Sequence, residues 1–301
     1  MAPTSSAAAP FGRMLTAMVT PMTADGTLDY DAAQRLAEHL VDRGNDGLVI
    51  SGTTGESPTT SDEEKERLLR AVVEAVGARA HVVAGAGTND TAHSVELAKQ
   101  AEKTGVTGLL VVTPYYSKPP QAGLLEHFRR IADATGLPVM LYDIPGRSGV
   151  PIATDTLLQA AEHDRIVAVK DAKGDLYETS KVMAATDLVY YCGEDAINLP
   201  MFALGAVGTV SVVGHVCTAE YVAMIRAVDA GDLDEARRLN AAVLPAVRGI
   251  MTRTQGAIMA KAALELLGLI PSRATRAPLV DATDEQIQLL RRDLVEAGLP
   301  L

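Results

Sequence analysis

The chain has 301 residues, enough to bury a core as one large domain or two ordinary ones, and its 48% hydrophobic and 22% charged content is that of a soluble globular protein. A net charge of −11 argues against nucleic acid and anionic membrane surfaces as partners, and no run of about 18 apolar residues offers a membrane span. The two cysteines, Cys192 and Cys217, make no disulfide framework and read as small buried hydrophobes in a reducing, cytoplasmic setting.

Residues 1–10 are rich in Ala, Ser and Pro and lack the basic start and apolar stretch of a secretory signal; they read as a short disordered tail. Short apolar runs then recur at 15–19, 47–52, 81–85, 108–113, 139–142, 166–170, 188–192 and 208–213. Their spacing of about 20 to 34 residues is close to the roughly 30 of a strand–helix unit. Helix signals fill the intervals. Asp29 opens an amphipathic run through Leu36 and Leu40 that stops at Gly44. Ser61 with Glu64 forms a capping box ahead of Leu68, Leu69, Val72 and Val73. Thr91 and Gln121 open two more helices, ending at Gly105 and Gly136. Past the eighth run the pattern is helical, at 219–230, 232–252, 255–268 and 283–297.

Apolar strands alternating with helices predict an α/β fold with a parallel sheet covered by helices. Eight units favour a closed (β/α)8 TIM barrel over an open doubly wound sheet. The open sheet is also poorly served by Gly85-Ala86-Gly87, which has no third glycine in place. The expected organisation is a barrel over 11–232 and a C-terminal helical extension over 233–301.

One strand carries a chemical signal. The run 166–170 ends in Lys170, and alternation places Ile166, Ala168 and Lys170 on one face and Val167 and Val169 on the other. If the first face is the barrel interior, desolvation disfavours the ammonium form, and a neutral amine attacks carbonyls. The plainer reading is a lysine that ends a strand and snorkels to water. In such a barrel the chemistry sits at the C-terminal strand ends. Those ends hold Gly52-Thr53-Thr54-Gly55-Glu56, Thr113-Pro114-Tyr115-Tyr116, Tyr142-Asp143-Ile144-Pro145-Gly146-Arg147, Gly193-Glu194 and Val210-Ser211. Val49, Ser51 and Thr53 share a phase, as do Met140 and Tyr142. Imine chemistry needs proton transfers that a phenol and a hydroxyl can shuttle, and a carboxylate can be held by hydroxyl and backbone N–H groups or by an arginine fork. Taken singly, each has a bland alternative: a tight turn, core or interface aromatics, a surface arginine. The six histidines show no metal-ligand spacing, and no cofactor motif appears.

On the motifs at 52–56, 113–116, 142–148 and 169–172 the chain resembles the dihydrodipicolinate synthase family, among the pyruvate-dependent class I aldolases that include N-acetylneuraminate lyase. The resemblance covers nearly the whole chain after the tail. It implies that Lys170 forms an imine with pyruvate and that Tyr142, Thr53 and Tyr116 relay protons, Tyr116 reaching in from a neighbouring subunit. It implies that Thr54 binds the pyruvate carboxylate beside the Val210 carbonyl. Arg147 would bind the carboxylate of L-aspartate 4-semialdehyde at the mouth, with Gly193 nearby. No cofactor or metal is implied, and the family is commonly a homotetramer, a dimer of dimers. Sialic-acid lyases usually read Ser-Thr at the strand-two turn and lack the arginine.

Some positions depart from better-known members. Asp143 stands where Asn is common and Lys173 where Ser or Thr is common. Where lysine-inhibited members carry histidines this chain has Asp62 and Lys65, and where they carry a glutamate it has His93, so weak feedback by lysine is expected. Two other readings are a sister aldolase or dehydratase acting on a sugar acid, and a non-catalytic barrel sensing a small carboxylate. Arg147 with Thr53-Thr54 argues against the first, and Lys170, Tyr142 and Thr53 together argue against the second.

Overall fold

The computed structural model describes residues 9–300. Residues 1–8 of the expected tail lie outside the described residues. Ala9 and Pro10 are the first described residues, and the Ala9 carbonyl accepts the Gly12 N–H at 3.1 Å.

The strands are β1 (Met14–Ala17), β2 (Gly47–Ile50), β3 (His81–Gly85), β4 (Gly108–Val112), β5 (Val139–Asp143), β6 (Ile166–Asp171), β7 (Val189–Cys192) and β8 (Gly208–Ser211). They pair in that order, all parallel, and β8 closes on β1. The expected (β/α)8 barrel is therefore the observed one. The helices between them are α1 (Tyr30–Asp42), α2 (Asp62–Val76), α3 (Thr91–Glu102), α4 (Gln121–Asp133), α5 (Pro145–Ser148), α6 (Thr154–Ala160), α7 (Leu176–Ala185) and α8 (Asn198–Leu204). Then come α9 (Gly214–Asp229), α10 (Leu233–Val247), α11 (Gly256–Leu266) and α12 (Asp284–Glu296), with a π turn at Arg248–Thr252 after α10. Among the described residues, no helix is long and apolar enough to cross a membrane.

Local signals act as read. Ser61 and Glu64 form the capping box of α2, and Asp29 caps α1 through the Ala32 N–H. The ninth helix starts at Gly214, earlier than the expected 219, with a kink at Cys217.

Two apolar layers result. Inside the barrel lie Phe11, Leu15, Ala17, Val49, Val83, Leu110, Met140, Tyr142, Ala168, Tyr191 and Val210. The larger layer fills the space between strands and helices and continues under α9 to α12. One expectation is overturned here. Ile166 packs in the outer layer while Val167 packs against the inner one. The register of β5 against β6 shifts between Val139 and Met140, and this bulge gives β6 an extra residue. Ala168 faces inward beyond it, so the error ends before Lys170.

Candidate active site

The site is built where β5, β6 and β7 end side by side. Lys170 is registered between Tyr142 and Tyr191. It is 4% exposed, and its Nζ lies 4.1 Å from the centroid of the Tyr142 ring. The close neighbour of the amine is thus an aromatic face rather than a carboxylate. Burial first, and then the Arg147 cation, lower its pKa to about 8 against the pull of Asp195 and Glu194. At that value roughly a tenth of the amine is unprotonated at pH 7.

Tyr142 is buried, and desolvation with the Glu194 charge pushes its phenol up to about 12, Arg147 opposing. It stays a proton donor at neutral pH. Its carbonyl is held twice by Thr113, through N–H and Oγ1, both at 3.0 Å. The end of β4 therefore fixes the end of β5.

Arg147 sits on the single turn α5, which starts on Pro145 and closes on left-handed Gly149. It is exposed, yet its charge is felt by Lys170, Tyr142 and Glu194. Gly193 follows β7 and packs on the lysine stem. A Cβ there would lie 2.9 Å from Lys170 Cγ and 3.1 Å from Cε, so only glycine leaves that stem in place. Val210 lies in the inner layer on β8. The end of β8 is held by Asp195, which accepts Ser211 Oγ and the N–H groups of Val212 (2.9 Å) and Val213 (3.0 Å).

Thr53 and Thr54 follow the C-terminal end of β2 on a turn, not on the strand alternation expected for them. Strand β2 stops at Ile50, and Ser51 takes a left-handed φ of 58°. The turn beyond it carries Thr53, half-buried, and Thr54, buried. The turn is packed against β3: a Cβ at Gly85 would lie 2.3 Å from the Ser51 carbonyl oxygen. The weak Gly-x-Gly of the sequence thus serves close backbone approach. Tyr116, with φ 76°, is 89% exposed.

Sequence reasoning marked Gly193-Glu194 at the end of β7 but stopped one residue short of Asp195, which the same strand-end rule could have reached. Glu194 is pushed up by burial and by Asp195. Glu56 had no legible role; it is buried against a lysine of α11. The two departures, Asp143 and Lys173, prove to be partners at 3.4 Å. Among the described residues, no group of three His, Cys, Asp or Glu could hold a metal ion.

The family model for the Dihydrodipicolinate synthetase family matches residues 10–297. The chain is 66% identical over 300 residues to a 4-hydroxy-tetrahydrodipicolinate synthase of Kineococcus radiotolerans, covering 99% of this chain and 97% of that one. It superposes with a TM-score of 0.94 at 42% identity on the DHDPS of Cyanidioschyzon merolae with lysine bound, over 97% of this chain and 99% of that one. A dihydrodipicolinate synthase of Acinetobacter baumannii, complexed with pyruvate, gives 0.92 at 33% identity over 96% and 99%.

Proposed function

The chain belongs to the dihydrodipicolinate synthetase family, and we propose that Lys170 is its imine-forming nucleophile toward pyruvate. The activity is that of a 4-hydroxy-tetrahydrodipicolinate synthase, a Schiff-base-forming lyase of the diaminopimelate and lysine pathway. The observation that carries the assignment of Lys170 is a buried amine at the end of β6, lowered to about 8, lying against the buried Tyr142 phenol.

The unprotonated Nζ adds to C2 of pyruvate, and loss of water from the carbinolamine gives the imine. Tyr142 supplies and recovers the protons, linked to Thr53 and to Tyr116 of a neighbouring subunit. The exposure of Tyr116 supports that last role. Thr54 and the Val210 carbonyl line the place of the pyruvate carboxylate, and Gly193 leaves room for the lysine stem. Loss of a C3 proton gives an enamine, whose C3 attacks the aldehyde carbon of L-aspartate 4-semialdehyde. The amino group of that substrate then adds to C2, closes the ring and displaces Lys170. Arg147 receives the carboxylate of the semialdehyde at the mouth. The protein works without a cofactor, in the cytoplasm, as a homotetramer built from two dimers. Residues 11–232 form the catalytic unit and 233–301 its helical extension.

Weak inhibition by lysine belongs to the same reading. Asp62 is engaged by His93 Nε2 at 2.8 Å and by Lys65 at 3.5 Å, and Lys65 Nζ donates to the Thr60 carbonyl at 2.6 Å. These groups satisfy one another and put the Lys65 cation and the His93 ring where an ammonium would have to bind. Half-inhibition at sub-millimolar lysine overturns this part.

The test of the function is pyruvate consumption with L-aspartate 4-semialdehyde as acceptor. It should vanish in Lys170→Ala, together with borohydride trapping of pyruvate on the protein. Trapping without consumption would move the assignment to a sister aldolase with another acceptor.

A further inference from the structure

Far from Lys170 in sequence, the extension reaches the Thr53-Thr54 turn through a buried ion pair. Lys261, on α11, is 0% exposed, and Glu56 is 2% exposed. Lys261 Nζ donates to Glu56 Oε1 and, at 2.7 Å, to the Ala274 carbonyl. The other carboxylate oxygen, Glu56 Oε2, accepts the Arg276 N–H at 2.9 Å. The Arg276 guanidinium in turn bridges the carbonyls of Gly26 (2.8 Å) and Thr59 (2.9 Å) and both oxygens of Glu64 (2.7 and 2.6 Å).

Glu56 is also the closing residue of the turn. Its N–H donates to the Thr53 carbonyl at 3.1 Å, while Gly55 and Ser57 donate to Gly52 at 3.1 and 3.3 Å. Its φ of 57° is left-handed, a conformation that a glutamate holds only when its surroundings impose it. The imposing contacts are those to Lys261 and Arg276.

A buried ion pair is a poor source of stability, because desolvation of both charges offsets their attraction. Burial lowers the Lys261 ammonium, with Glu56 opposing. The pair is better understood by what it fixes. We propose that Lys261 is a positioning residue for the pyruvate end of the site, acting through Glu56 to set the turn that presents Thr53 and Thr54. The inference rests on the assignment of those two threonines to pyruvate. It makes the C-terminal extension part of the substrate site, although the extension contributes no group to the chemistry.

The experiment is the full-length double variant Glu56→Gln/Lys261→Met, which removes both charges and leaves neither unpaired. KM for pyruvate should rise about tenfold or more while KM for the semialdehyde stays within about twofold. A general loosening of the barrel would move both constants together, and that outcome, or an unchanged KM for pyruvate, overturns the proposal. Should the double variant fail to fold, Glu56→Gln alone keeps the shape and lets a neutral lysine accept from the amide. It should raise KM for pyruvate in the same selective way by about threefold, and an unselective or absent change overturns the proposal equally. Borohydride trapping on the unaltered protein separates the two levels of the argument. If it traps no pyruvate, the reading of the site fails; if it does and the variants show no selective change, only the role of Lys261 fails.

Discussion

The two ends of this barrel both carry polar groups, but they use them oppositely. At the floor Tyr191, Asp46 and Arg13 are each hydrogen-bonded. Tyr191 Oη donates to the Gly12 carbonyl at 2.9 Å and accepts the Phe11 N–H at 3.2 Å. Asp46 accepts the N–H groups of Arg13 and Met14 at 2.8 and 3.0 Å, and Arg13 Nε reaches the Val207 carbonyl at 2.7 Å. The Phe11 ring plugs the opening so closely that a Cβ at Gly108 would lie 2.3 Å from it. At the mouth Lys170 is buried against a ring, and Ser51, Glu56, Tyr116 and Lys118 hold left-handed backbone, which costs on the order of 1 kcal/mol or more each. Among the described residues, no non-glycine residue at the floor does so. Left-handed backbone and a buried amine with no ion-pair partner among the described residues are kept where chemistry is done, while the floor groups are tied to backbone that only keeps the barrel closed.

The largest effect that would break this contrast is at Lys170. Lys170→Ala should lower turnover at least a thousandfold or so, since the covalent route is lost, yet leave Tm unchanged or raised because a poorly paired buried amine is removed. A fall in Tm as large as that of a core truncation would mean that the amine stabilises the fold, and the contrast would collapse. The next effect is in pH. The free amine fraction grows as pH rises through about 8, so the rate of pyruvate trapping should climb close to tenfold per unit from pH 6 to 7 and level off above about 9. A rate flat from pH 6 to 9 would place the amine pKa elsewhere. At the floor the smaller, opposite result is expected. Tyr191→Phe should cost about 1–3 kcal/mol in chemical denaturation, leaving the Phe11 N–H and Gly12 carbonyl unpaired, with kcat/KM within about twofold of the parent. Lost activity with unchanged stability would contradict it.

The same division explains what could be read from the sequence. The eight strands were legible because parallel strands buried on both faces must be apolar runs, and the lysine stood out because a cation is foreign to such a run. Helices α5 to α8 were not, being short and caught between strands, with little room for a periodic face. Ile166 was assigned to the wrong face because a bulge leaves no mark in composition. The strand alternation used to place Thr53 fails at Ser51, where the strand has already ended. Partners such as Glu56 and Lys261 were invisible because only closure of the barrel and docking of α11 bring them together. Asp143 and Lys173 looked like two separate departures and are one contact.

That contact lies just beneath the mouth and gives the smallest prediction. Burial first, with Asp171 adding, pushes the Asp143 carboxyl up to about 6 against its ordinary 3.8, while Lys173 and the Ile152 N–H oppose. The folded protein therefore holds this proton more tightly than the unfolded chain. Its stabilising contribution is complete below about pH 4 and is lost as pH rises through about 6. His127 and His215, both drawn down to about 4 by burial, give the opposite slope, because folding is lost when they must charge in acid. The parent curve alone mixes these effects, but the difference between the parent and Asp143→Asn cancels the histidines. Denaturation at pH 4, 5, 6 and 7 should show the variant gaining on the parent as pH rises, by no more than about 3 kcal/mol in all, with Lys173 Nζ still held by the Ile152 carbonyl at 3.3 Å. A difference that stays flat over this range would mean that Lys173 keeps the carboxylate charged throughout. Lys173→Ser sharpens the point: without the cation the Asp143 carboxyl should rise further, and the step should move to higher pH.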